Sequence, residues 1–223
     1  VSFARPRGGK PIDPGVTTDV PQEVAQGDPL SNLSNERTTD TGGVGMYGVG
    51  GQGRSVVYVI DASGSMSDVL PSVIAEVSGS LRKLTPSMKF TIVFFQDGKV
   101  IEVPDAGLKR AELETIRAVT AWIAPEQKNV VPKGSSNPID ALKLALRYKP
   151  TLIYLLSDNI TGRGQYAVEQ SYLLEVIDKF KGDQETRINT IQFVRPDPLK
   201  TLEKIAERHG GKHRFVEIGR AHV

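Results

Sequence analysis

The sequence predicts an α/β fold: a doubly wound, mostly parallel central sheet of the Rossmann-like kind, with one antiparallel edge strand and helices on both faces. Three observations carry that prediction. Continuous apolar runs occur at 55–60 (SVVYVI), 89–95 (KFTIVFF) and 151–156 (TLIYLL), as in strands buried on both faces. Between them lie stretches whose apolar residues recur at helical spacing. The two patterns alternate through 54–216, the order that stacks helices over a parallel sheet.

Residues 1–53 hold 11 of the 22 glycines and 5 of the 14 prolines, with Phe3 and Tyr47 their only aromatics. They are read as a flexible Gly/Pro-rich leader or linker. Its end, GGVGMYGVGGQG (42–53), superficially matches a dinucleotide-binding fingerprint. That fingerprint follows a strand and opens a helix, whereas this stretch precedes the strand, so it is expected to be a flexible joint.

After the first strand, Leu70, Val73, Ile74, Val77, Leu81 and Leu84 mark a helix ending before Pro86. Strand 89–95 turns through Gln96-Asp97-Gly98 into KVIEV (99–103), its antiparallel hairpin partner. Leu113, Ile116, Thr120 and Ile123 form a second helical face, and 137–148 a third helix with Ile139, Leu142 and Leu146 inward. Beyond strand 151–156, Leu173, Val176, Ile177 and Phe180 mark a helix and RINTIQFV (187–194) a strand. Leu199, Leu202, Ile205 and Ala206 mark the last helix, stopped at Gly210 and Gly211, and HRFV (213–216) closes the sheet. The closing EIGRAHV (217–223) resembles a translated sequencing adapter and is read as a non-native tail. The domain is therefore 54–216.

The chain has 223 residues, 39% hydrophobic and 24% charged, with a net charge of +2. That balance gives no electrostatic footprint for nucleic acid, and no apolar run of roughly twenty residues would insert in a membrane. The absence of cysteine excludes thiolate metal sites and cysteine nucleophiles. Because the chain opens at Val1, an upstream signal or anchor would lie outside it.

In a doubly wound sheet, ligands bind beyond the carboxyl ends of the strands, where strand order reverses. Asp61, Ser63 and Ser65 follow the first strand, Asp158 follows 151–156, and KGSSNPIDAL (133–142) supplies Ser135, Ser136 and Asn137 from a loop. Carboxylate and hydroxyl oxygens without imidazole or sulfur suit a hard cation, Mg²⁺ first and Mn²⁺ or Ca²⁺ next. Taken singly, these residues have plainer uses: Ser65 or Ser67 could cap the next helix, and Asp158 could cap or turn.

Asp61-Ala62-Ser63-Gly64-Ser65-Met66, directly after a hydrophobic strand, resembles the DxSxS motif of the von Willebrand factor type A domain family. In that family the motif forms the metal-ion-dependent adhesion site. Ser136, five residues before Ala141 and Leu142, matches the family's loop threonine, and Asp158 its last site aspartate. Asp97 resembles a common feature at the end of the family's second strand. The resemblance covers 54–216. It implies that the hydroxyls of Ser63, Ser65 and Ser136 meet the metal directly, that Asp61 and Asp158 act mainly through waters, and that an open position takes a partner's acidic side chain. Two positions depart: serine replaces threonine at 136, losing the methyl that restricts χ1, and Asn159 stands where glycine is usual.

Enzyme readings lack their parts. A strand followed by Asp-x-Ser resembles aspartate-dependent phosphoryl transferases, but the second aspartate that would serve as acid and base is Ser63. No G-x-S-x-G elbow and no P-loop lysine follow the strand. None of the three histidines has a ligand-spaced partner, and Trp122 fits core or edge packing. The expectation is thus a non-catalytic, metal-dependent binding domain for a protein offering an Asp or Glu carboxylate. The alternative is a metal-independent interaction module of the same fold. Tethering to a membrane or cell envelope, a design common among bacterial relatives, would suit a leader of this kind.

Overall fold

The computed structural model describes residues 43–217. The expected leader over 1–42 and most of the expected tail, 218–223, lie outside the described residues.

The chain first forms a hairpin, β1 (Gly43–Met46) and β2 (Val49–Gln52), paired Gly43 to Gln52 and Met46 to Val49. Tyr47 and Gly48 form its two-residue loop, both with positive φ (49° and 71°), as a primed hairpin turn requires. Then come β3 (Ser55–Asp61), α1 (Leu70–Leu81), β4 (Lys89–Gln96), β5 (Lys99–Glu102), β6 (Lys109–Arg110) and α2 (Leu113–Ile123). The remainder is α3 (Ile139–Arg147), β7 (Leu152–Ser157), α4 (Gln170–Lys181), β8 (Arg187–Phe193), α5 (Thr201–Arg208) and β9 (His213–Val216).

The main sheet runs β5-β4-β3-β7-β8-β9, with the short β6 also pairing β4. β3, β4, β7, β8 and β9 are parallel, whereas β5 and β6 run antiparallel to β4, as the hairpin prediction requires. Successive side chains of a strand point to opposite faces. Val56, Tyr58 and Ile60 of β3 therefore enter one core with α1 and α2, while Val57 and Val59 enter the other with α3, α4 and α5. From β3 the chain first winds toward β4 and then, after α3, returns to β7 on the other side. Strand order thus reverses between the carboxyl ends of β3 and β7, the place where such sheets hold ligands.

The expectation of a flexible joint is corrected over its described part, 43–53. Val44, Met46, Tyr47 and Val49 are buried in the first core, and the Tyr154 hydroxyl approaches the carbonyls of Val44 (2.9 Å) and Val49 (2.8 Å). The Tyr47 ring meets Phe193 edge-on at 5.4 Å, and its backbone N–H donates to Glu76 at 2.8 Å. The glycines permit close packing: a Cβ on Gly51 would stand 2.9 Å from Leu152 Cδ2, and one on Gly53 2.4 Å from Thr151 Oγ1.

Helix faces need smaller corrections. In α2 the buried face is Ile116, Val119 and Ile123, while Leu113 at the first position is exposed. Leu199 precedes α5 and is exposed. Among the described residues no helix is long and apolar enough to cross a membrane.

Candidate functional site

Asp61 ends β3 one step past the Ile60–Leu156 pair, which brings it level with Ser157, the last residue of β7. Its carboxylate is buried, with Oδ2 accepting from Ser157 Oγ at 2.6 Å and Oδ1 from the Ser63 backbone N–H at 2.8 Å. Burial pushes the carboxyl up from 3.8 to about 6. The hydrogen bonds from Ser157 and Ser63 oppose that rise, and the charge of Asp158 adds to it.

From Asp61 a chain of oxygens runs outward. Ser63 and Ser65 share a hydroxyl–hydroxyl hydrogen bond of 3.1 Å, and Ser65 Oγ donates to Asp158 Oδ1 at 3.0 Å. Four of the five residues singled out in the sequence thus meet in one network. Ser136 lines the same cleft as Ser63 and Ser65, of about 270 Å³, but its hydroxyl turns to the Asn137 carbonyl at 3.4 Å and does not join that chain.

Helix capping does not account for these serines. Neither the 3₁₀ turn at 64–66 nor α1 has a side-chain cap, and Ser67 donates its hydroxyl to the Gly64 carbonyl at 2.7 Å. Asn159 is not among the positive-φ residues, so the backbone there does not require the glycine usual at that place. Its N–H donates to Ser157 Oγ at 3.0 Å, and its side-chain carbonyl accepts from Thr161 Oγ1 at 3.0 Å.

The loops around the cleft brace one another. Ala62 N–H donates to Phe95 O (3.0 Å), Lys133 N–H to Ala62 O (3.1 Å) and Gly64 N–H to Gly134 O (2.9 Å). With its amide nitrogen turned toward them, Gln96 donates to Val131 O at 3.0 Å and Ala62 O at 3.1 Å. Gly134 has a φ of 63°, and a Cβ there would stand 2.7 Å from Asp97 Oδ1, so glycine is needed for both conformation and contact. Asp97 shapes the site from this position, as part of the Asp97-Gly98 turn and 3.9 Å from Lys133 Nζ.

Sequence reasoning missed Ser157, whose signal was a hydroxyl ending an otherwise apolar strand beside Asp158. It also missed Arg163, which lines the cleft from a loop without a strand or helix period to mark it. His209 and His213 do not line the cleft.

All the candidate donors are oxygen, a set that could hold a hard cation. Among the described residues there is no group of three or more His, Cys, Asp or Glu side chains placed for a metal, so hydroxyls would have to supply much of the coordination.

No protein-family model matches the chain, and no curated protein matches it. Solved structures resemble it in fold. A von Willebrand factor type A structure from Catenulispora acidiphila matches at 17% identity and a TM-score of 0.61, over 75% of this chain and 40% of that one. The human COPII-coat protein Sec24c matches at 11% identity and a TM-score of 0.56, over 75% of this chain and 30% of its own. The D319A mutant of the PilB minor pilin from Streptococcus sanguinis matches at 14% identity and a TM-score of 0.52, over 75% and 58%. The chain therefore spans about a third to three-fifths of the length of these structures. At such identities the likeness concerns the fold, which is the von Willebrand factor type A fold.

Proposed function

We propose that the domain is a non-catalytic, metal-dependent protein-binding module that captures an acidic side chain of a partner protein. The observation that carries this reading is the hydrogen-bonded chain of Ser63, Ser65 and Asp158, anchored on buried Asp61 where strand order reverses. A divalent cation, Mg²⁺ first and Mn²⁺ or Ca²⁺ next, would supply a charge surplus and an open position for a partner's carboxylate.

The protein's own residues divide the work. Ser63 and Ser65, and Ser136 once its hydroxyl turns from the Asn137 carbonyl, would offer neutral hydroxyls to the ion and so hold it without cancelling its charge. Asp61 and Asp158 would set the net charge of the occupied site. Ser157 keeps Asp61 oriented by its 2.6 Å hydrogen bond, and Asn159 in turn fixes the Ser157 hydroxyl.

The metal-independent interaction module remains a second reading, favoured by one feature: Ser63, Ser65 and Asp158 already satisfy one another's hydrogen bonds. The two part in a peptide-binding assay with an Asp-containing peptide in Mg²⁺ and in chelator. Our reading expects binding in Mg²⁺ that chelator removes. Equal binding in both conditions would favour the second.

A further inference from the structure

We infer that Arg163 is a second anion contact on the same cleft, so that the partner segment carries two acidic side chains, one for the ion and one for the guanidinium. This rests on the metal-dependent reading of the site.

Arg163 lines the cleft with Ser63, Ser65 and Ser136, and its side chain makes no hydrogen bond or ion pair among the described residues. Its backbone, by contrast, is held on several sides. The Arg163 carbonyl accepts from Tyr166 N–H at 3.1 Å and from Ser135 Oγ at 3.5 Å. Next to it, Gly162 is pinched so closely that a Cβ would stand 2.3 Å from Tyr166 O and 2.9 Å from Ser136 O. Asn137 Nδ2 donates to Tyr166 O at 3.2 Å, Val168 N–H to Thr161 O at 2.8 Å, and the Tyr166 ring packs against Gly98.

The loop thus fixes a backbone whose cationic head has no use inside the protein. An arginine with a fixed base and an unpaired fork beside a carboxylate-binding position is suited to a second carboxylate, which it can grip with two parallel N–H donors. Lysine could not reproduce that geometry. Among the described residues that line the cleft, Arg163 is the one cation; Lys133, next to the lining residue Gly134, lies 3.9 Å from Asp97.

The test uses the full chain and two capped decapeptides of Gly and Ser, one with a single Asp and one with a second Asp two residues further on. Their affinities are compared in Mg²⁺ and in chelator for the wild type, Arg163→Ala and Arg163→Lys. In Mg²⁺ the wild type should favour the two-Asp peptide by roughly ten- to hundredfold. That preference should fall to about twofold in Arg163→Ala and be only partly kept in Arg163→Lys. A preference unchanged in Arg163→Ala, with binding still lost in chelator, overturns the inference and leaves the metal reading standing. A preference that persists in chelator and disappears in Arg163→Ala supports the arginine contact but overturns the metal reading. No binding of either peptide to the wild type at millimolar Mg²⁺ overturns both.

Discussion

The two ends of the central sheet are built differently. The larger cleft, about 550 Å³, lies at the amino ends of the strands, lined by Arg54, Thr85, Ser87, Thr151, Glu185 and Arg187 among others. There the polar groups stitch backbones together: Ser55 N–H donates to Thr151 Oγ1 at 3.0 Å, Thr151 N–H to Ser55 Oγ at 3.1 Å, and Arg187 to the Gln52 carbonyl. At the carboxyl ends the cleft has half that volume, but its side chains bond to one another around a buried carboxylate. Size therefore does not single out the proposed site. A desolvated acid joined to a relay of hydroxyls does, because such a group is costly unless something compensates it.

The sharpest way to break this contrast is pH. Burial holds Asp61 near 6 in the folded protein against an ordinary 3.8, so the native state keeps the proton more tightly than the unfolded chain. Without metal, the stability contributed by the protonated acid is complete below about pH 4 and lost as pH rises through about 6, on the order of 3 kcal/mol. Urea unfolding in chelator at pH 4 and pH 7 should show that loss in the wild type and not in Asp61→Asn. Metal affinity should rise over the same interval, since the ion competes with the proton.

Next in size is Gly134→Ala. A positive φ and a 2.7 Å approach to Asp97 Oδ1 predict a loss of about 1–3 kcal/mol in a denaturant titration, with weaker metal binding because the Ser136 loop shifts. Ser136→Thr should act in the other direction. Restricting χ1 preorganises the hydroxyl, and calorimetry should find Mg²⁺ binding tighter by about threefold. The smallest effect belongs to the other end of the sheet. Arg54→Ala should leave Mg²⁺ affinity unchanged and stability within about 0.5 kcal/mol, measured by the same titrations.

The same contrast explains what the sequence revealed and what it concealed. β3, β4 and β7 were legible because strands buried on both faces must be continuously apolar, and Val56–Ile60 and Leu152–Leu156 are. That Asp61, Ser63, Ser65 and Asp158 lie close together was legible because they cluster just past the carboxyl ends of the β3 and β7 runs. Ser157 was hidden because a single hydroxyl at the end of an apolar strand is common, and only pairing with β3 aligns it with Asp61. The hairpin of β1 and β2 was hidden for a different reason. Its glycines suggested flexibility, yet Gly51 and Gly53 are the places where a backbone lies directly on Leu152 and Thr151. Val44 and Met46 do alternate with Gly43 and Gly45, but the turn between the strands is Tyr47-Gly48, without the Asn or Asp that usually marks one. Arg163 carried no pattern at all, since a loop residue's role depends on the loops it packs against.

The most direct measurement is a calorimetric titration of the whole chain with Mg²⁺ and Mn²⁺, beside Asp61→Ala, followed by acetate. The account predicts saturable binding by the wild type, an affinity lower by ~100-fold in the variant, and a further heat when acetate fills the open position. Failure of the wild type to bind either ion at millimolar concentration with acetate present would contradict it.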